Sequence, residues 1–209
     1  MLDRSRNDRL TIALNHRLIM PELIIPKTFH VSHEQFKQLA EVNHDLRLEK
    51  TAYGELIIVP PTGSMTGNCN LDIEGQLWLW NRQTKLGQVF NSSSGFCLPN
   101  GAIRSPDAAW ICQERWETLT LEQQETFAPL CPDFVVELRS ISDNLKPLQE
   151  KMQEYLDQGS RLGFLIDRKN KRVEVYQPHF PVEILDHPSQ VSGKEVLPGF
   201  VLDLRDVWK

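Results

Sequence analysis

A chain of 209 residues, 40% hydrophobic and 24% charged, is long enough to bury one substantial core without disulfide staples. Its net charge of −5 argues against a broad basic surface of the kind that drives non-specific nucleic-acid binding, and leaves only local basic patches for such a role. Cys69, Cys97, Cys112 and Cys131 are 28, 15 and 19 residues apart, which gives neither a C-x-x-C pair nor zinc-ligand spacing, so packed, reduced thiols and a cytoplasmic setting are expected.

The first 25 or so residues carry Arg4, Arg6, Arg9 and Arg17 around an apolar run, Leu10 to Leu14, that is too short and polar for a signal peptide. They read as an N-terminal arm ahead of a single domain over residues 26–209, and no stretch approaches a membrane span, so no membrane partner is expected. Ser32-His33-Glu34-Gln35 has the form of a capping box before a short helix with Phe36, Leu39 and Ala40 on one face. Leu46 to Thr51 alternates with period two, turns at Tyr53-Gly54 and returns as Glu55 to Val59, a hairpin ended by Pro60-Pro61. After a turn over Gly63 to Gly67, residues 68–84 read as a helix with Leu71, Leu77, Trp78 and Trp80 among its apolar positions and Gly87 just beyond its end.

Gln88 to Asn91 and Gly95 to Leu98 read as short strands around a serine-rich bend, and Asn100-Gly101 as a hairpin turn leading into a strand that carries Asp107. Gln113 to Leu130 is a polar, peripheral excursion with a second capping box at Thr120 to Gln123. Asp133 to Ser140 is the most hydrophobic strand, followed by a helix from about Leu145 to Gln158 closed by Gly159. Leu162 to Asp167 and Arg172 to Gln177 flank a turn at Lys169-Asn170, and the tail packs back through Phe200, Val207 and Trp208.

Two acids interrupt apolar segments: Asp107 in Ser105-Pro106-Asp107-Ala108-Ala109-Trp110, and Glu137 among Val135, Val136 and Leu138. Carboxylates seldom sit in such strands without a partner, and a shared divalent cation is one such partner. Magnesium fits two carboxylates on neighbouring strands, because it prefers hard oxygen ligands and keeps several waters. Phosphodiester hydrolysis also needs a positive group near the developing charge. Arg139 shares a strand face with Glu137 but cannot act as a base, whereas Lys151, on the following helix, can return to the same edge of the sheet. Glu49 on the first hairpin is a third carboxylate.

Bland alternatives stand beside each residue. Asp107 can tie down a turn, Glu137 can form a buried ion pair with Arg139 or Lys151, and the Lys151 stem can simply cover Tyr155. The run Arg168 to Arg172 can be a solvated hairpin tip. The six histidines show no paired metal-ligand spacing.

Leu46-Arg-Leu-Glu49 with Gly54-Glu-Leu-Ile-Ile58, Ser105 to Trp110, Pro132 to Ser140 with Ser142-Asp143, Lys151 to Tyr155 with Gly159, and Leu165 to Asp167 together resemble the Uma2 family, a restriction-endonuclease-like branch of the PD-(D/E)XK nuclease superfamily. The resemblance implies an α/β (α+β) fold with a restriction-endonuclease-like core, a mixed β-sheet flanked by helices, preceded by the N-terminal helix and hairpin. It implies a magnesium-dependent site, with manganese as a substitute, in which Asp107 and Glu137 bind metal. Arg139 stands where the superfamily's short motif places Lys, and Lys151 matches a position from which a migrated lysine can act. The expected function is a divalent-metal-dependent endonuclease acting on DNA. Asp107, Glu137, Lys151 and Glu49 are its catalytic residues, Arg139, Arg104 and Ser140 bind substrate, and a homodimer allows both strands to be cut. The alternative is a catalytically inactive nuclease-fold interaction module whose buried acids form a structural ion pair.

Overall fold

The computed structural model describes residues 29–141 and 143–209; the arm expected over residues 1–25 and Ser142 lie outside the described residues. After helix α1 (His33–Val42), strands β1 (Arg47–Lys50) and β2 (Leu56–Val59) form the expected hairpin, and helix α2 (Ser64–Thr84) follows. Strands β3 (Gly87–Asn91), β4 (Phe96–Cys97), β5 (Ile103–Arg104) and β6 (Ala108–Cys112) lead into the short helices α3 (Gln113–Trp116) and α4 (Leu121–Gln124). Strand β7 (Phe134–Arg139), helix α5 (Leu145–Asp157) and strands β8 (Leu162–Asp167), β9 (Arg172–Tyr176) and β10 (Glu183–Asp186) complete the centre. The tail adds β11 (Gln190–Ser192) and β12 (Val201–Asp203).

The main sheet runs β10-β9-β8-β7-β6-β3, with β7 and β8 parallel and the other pairs antiparallel, so it is mixed as expected. A smaller sheet, β2-β1-β5-β4, sits beside it, and β11 pairs with β12. Both capping boxes form, Ser32 with Gln35 and Thr120 with Gln123. Among the described residues no helix is long and apolar enough to cross a membrane.

Three features depart from the pattern read in the sequence. Helix α2 begins at Ser64, not after Gly67, and the Gly67 N–H donates to Gly63 O at 2.9 Å within its first turn. The helical penalty of about 1 kcal/mol for a glycine is outweighed there by packing of the adjacent inward stripe. That stripe is Thr66, Cys69, Asn70, Ile73, Leu77 and Trp80, while Leu71 and Trp78 face solvent, with the Arg82 guanidinium stacked over the Trp78 ring at 4.9 Å. Asp107 lies one residue before β6, and β10 had no legible signal because its residues are mostly exposed.

Strand alternation divides the core and aims the acids. From β6 and β7, Ala108, Trp110, Phe134, Val136 and Leu138 face α2 and the tail, where they meet Ile73, Leu77, Trp80, Phe200 and Val207. Ala109, Ile111 and Val135 face the opposite way and pack with Met152 and Tyr155 of α5. Glu137, two residues after Val135, therefore also points toward α5. The sheet comes close to α5 at Gly163, where a Cβ would stand 2.4 Å from Met152 Cε, and within the sheet a Cβ on Gly87 would stand only 2.1 Å from the Ile111 carbonyl oxygen of the neighbouring strand.

Candidate active site

The site forms where β6 begins and β7 ends. These strands are antiparallel neighbours with Ala108 opposite Val136, so Asp107 and Glu137 come to the same end of adjacent strands. The Asp107 carboxylate is anchored from two sides: Oδ2 accepts the Leu138 N–H at 2.8 Å, and Oδ1 accepts Asn70 Nδ2 at 3.3 Å. β6 begins only at Ala108, and just before it the Asp107 side chain, rather than a backbone carbonyl, accepts the β7 amide of Leu138. Burial pushes the Asp107 carboxyl above the usual carboxylate range, against the opposing pull of the Leu138 amide, Lys151, Arg47 and Asn70.

Lys151 joins two acids from elements far apart in sequence. Its Nζ lies 2.8 Å from Glu137 Oε1 and 3.0 Å from Glu49 Oε1. Tyr155, one turn further along α5, donates its hydroxyl to the same Glu137 oxygen at 3.0 Å. Burial, together with the charges of Asp107 and Glu49, carries the Glu137 carboxyl up to about 7, with Lys151 opposing. Burial works against the Lys151 ammonium too, but Glu137 and Glu49 outweigh it and hold its pKa above the ordinary lysine value. The group is thus a fixed cation and hydrogen-bond donor, not a base.

Glu49 belongs to a second, linked network. Burial tends to raise its pKa, yet Lys151, Arg104 and the Ser105 N–H, which donates to Oε1 at 3.1 Å, hold it below the usual range. Arg104 donates to Glu49 Oε2 at 3.3 Å and to Glu154 Oε2 at 2.6 Å, and Asn100 closes on the other Glu154 oxygen at 3.0 Å. Sequence position does not pair the first hairpin with α5; the β1–β5 contact brings Glu49 there, since Lys50 lies opposite Ile103.

The remaining expected residues are placed as follows. Arg104 is committed to Glu49 and Glu154. Arg139 pairs with Asp167 at 2.7 Å, and its Nε donates to the Asp143 carbonyl at 3.0 Å. Ser140, at the end of β7, donates its backbone N–H to Asp143 Oδ2 at 3.0 Å.

Two residues not singled out in the sequence also face Asp107. Arg47 donates to the Ser105 carbonyl at 2.6 Å and places Nη1 3.8 Å from Asp107 Oδ1, while its buried Nε has no acceptor. Asn70 gives its amide N–H₂ to Asp107 and leaves Oδ1 buried without a partner. A buried polar atom without a partner costs about 1–3 kcal/mol, so a partner at Arg47 Nε or Asn70 Oδ1 would be stabilising. The legible signal was the α2 stripe: Thr66 and Asn70, at i and i+4, fall among its inward positions.

A family model described as "Putative restriction endonuclease", Uma2, matches residues 33–205. Among solved structures, the chain is similar to a crystal structure described as a putative nuclease belonging to DUF820 from Anabaena variabilis ATCC 29413. The two share 18% sequence identity with a TM-score of 0.71, over 85% of this chain and 97% of that one. No match was found among curated proteins.

Proposed function

The chain belongs to the Uma2 family, and on that footing we propose that it is a divalent-metal-dependent endonuclease that hydrolyses phosphodiester bonds in DNA. The observation that carries this reading is the convergence of Asp107 and Glu137 at one end of adjacent strands, with the Lys151 ammonium fixed against Glu137.

The donor chemistry fits magnesium. Asp107, Glu137 and the unpartnered Asn70 Oδ1 are all hard oxygens, and magnesium needs only one or two protein carboxylates because it retains waters and takes substrate phosphate. Among the described residues no three His, Cys, Asp or Glu side chains form a preformed metal cage. When bound, the cation would offset phosphate charge and ease deprotonation of the attacking water.

The protein's own groups would act around that centre. The Leu138 amide and Asn70 hold the Asp107 carboxylate in place, and the Tyr155 hydroxyl orients Glu137. Glu49 braces Lys151 alongside Glu137, so the ammonium stands ready to donate to a developing phosphorane oxygen without reorganising. Arg139, held by Asp167, would act by bracing the end of β7 more than by gripping phosphate.

The test is metal-linked. Magnesium or manganese should raise the melting temperature of the wild type and support nicking of supercoiled plasmid, and Asp107→Asn and Glu137→Gln should abolish both effects. Undiminished nicking by the double variant would remove the reading. One observation favours the inactive-module alternative: Glu137 and Lys151 already form a buried ion pair. That alternative is selected if the wild type shows neither a metal-induced shift nor cleavage of DNA or RNA.

A further inference from the structure

Beyond the carboxyl end of β8 stands a basic hairpin whose charges the candidate active site does not use. Arg168, Lys169, Lys171 and Arg172 fall within five consecutive positions of a chain whose net charge is −5. Residues 169–172 are exposed. Arg168 is tied through Nε to the Val207 carbonyl at 3.2 Å, and Arg172 pairs with Asp186 at 2.5 Å. Among the described residues, neither Lys169 nor Lys171 has an acidic partner for its ammonium group.

A run of charge usually reflects nothing more than contact with water. What distinguishes this one is how firmly it is held and where. Asp167 accepts the Asn170 N–H at 3.2 Å and Asn170 Nδ2 at 2.7 Å, which closes the turn, and the same carboxylate binds Arg139 of β7. Lys171 sits in the left-handed region with φ 51°, and its carbonyl accepts the His187 N–H at 2.6 Å. The tip is therefore pinned to β7 on one side and to the segment after β10 on the other.

Register fixes its direction. β8 runs parallel to β7 with Leu165 beside Glu137 and Asp167 beside Arg139, so the tip projects past the same end of the sheet that carries Glu137 and Asp107. Arg168 is also near enough to Cys69, the α2 neighbour of Asn70, to oppose the rise that burial imposes on that thiol. At ~3.3 Å per residue, Asp167 lies roughly 7 Å along the strand direction beyond Leu165, and the turn over residues 168–171 lies beyond that.

We infer that the Arg168–Arg172 hairpin is a docking element for the phosphodiester backbone of DNA flanking the active site, with Lys169 and Lys171 as its phosphate contacts. The identity of the ligand rests on the nuclease reading above. An acidic chain repels a polyanion overall, so affinity must come from a local, rigidly presented cationic feature beside the site, and this hairpin supplies one.

The experiment measures binding and cleavage separately. In a full-length Glu137→Gln parent, which leaves the duplex uncut, fluorescence anisotropy of a short labelled DNA duplex is followed over a salt series. Lys169→Ala with Lys171→Ala should weaken binding about ten-fold at low salt and reduce the slope of log K against log salt by ~1.8, the value for two released phosphate contacts. Lys→Arg at both positions should preserve affinity and slope, which a merely structural role for the stems would not predict. An unchanged slope in the double alanine variant, or no duplex binding by the parent, overturns the inference. Plasmid nicking by the chain with intact Glu137 runs alongside. Nicking together with an unchanged slope keeps the nuclease and removes the hairpin, whereas hairpin-dependent binding without nicking keeps the hairpin and removes the nuclease.

Discussion

Replacing Glu137 by Gln should flatten the pH dependence of folding stability between about pH 4.5 and 7. Burial and the nearby charges of Asp107 and Glu49 carry this carboxyl from 4.5 in the unfolded chain to about 7 in the folded one, even with Lys151 pulling the other way. Within that window the folded protein keeps a proton that the unfolded chain gives up. The group's contribution to stability is therefore complete below its unfolded value and is lost as the pH rises through its folded value. The gap from 4.5 to about 7, at ~1.4 kcal/mol per pH unit, amounts to ~3 kcal/mol. For a chain of this length that is on the order of 6–12 °C in melting temperature. Gln keeps the shape and can still accept the Tyr155 hydroxyl, but it does not titrate. Urea denaturation of both proteins across the window, with EDTA present so that no cation favours the carboxylate, should show the wild-type-minus-variant difference falling by that amount. Parallel stability curves would refute the reasoning, because they would mean that Lys151 keeps Glu137 ionised throughout.

Three further outcomes follow from the same geometry. Lys151→Met should cost ~3 kcal/mol or more at pH 8, where it strands the buried Glu137 carboxylate while Glu49 keeps Arg104, and less at pH 5, where Glu137 takes up a proton; equal losses at both pH values in urea titrations would contradict this. Asn70→Ala removes the unpartnered carboxamide oxygen beside Asp107, so the magnesium concentration that half-saturates the melting-temperature shift should rise about ten-fold, and an unchanged midpoint would exclude Asn70 from the metal's surroundings. Gly87→Ala and Gly75→Ala should act in opposite directions in thermal melts. The first places a Cβ 2.1 Å from the Ile111 carbonyl and should cost at least ~2 kcal/mol, while the second meets nothing within 4 Å on an exposed helical turn and should gain ~0.5–1 kcal/mol.

Much of the fold was legible because its signals are local. Both capping boxes, the first hairpin and the amphipathic α5 follow from spacings of three, four and two residues, and each forms within a residue or two of the expected bounds. The start of α2 is not legible because Gly63 and Gly67 look alike in sequence, although only Gly63 stands outside the helix. Leu71 and Trp78 are among the apolar positions of α2 yet face solvent, whereas the buried stripe includes the polar Thr66 and Asn70. Hydrophobicity reports the average preference of a residue type, and an interior that contains a polar site departs from that average.

The sequence by itself determined that Asp107 and Glu137 would be costly where they stand, since an acid in an apolar segment needs a partner whatever the fold around it. It also determined the family, through an ordered series of short motifs. Only the tertiary structure decided which partners those acids and arginines take. Arg139, two residues from Glu137 and on the same strand, pairs instead with Asp167 of β8, while Lys151 reaches Glu137 from α5 and Glu49 reaches Lys151 across 102 positions of sequence. The physical reason is that charge pairing falls off within a few ångströms. Strand register, set by the burial of dozens of apolar side chains, determines which charges come within that range.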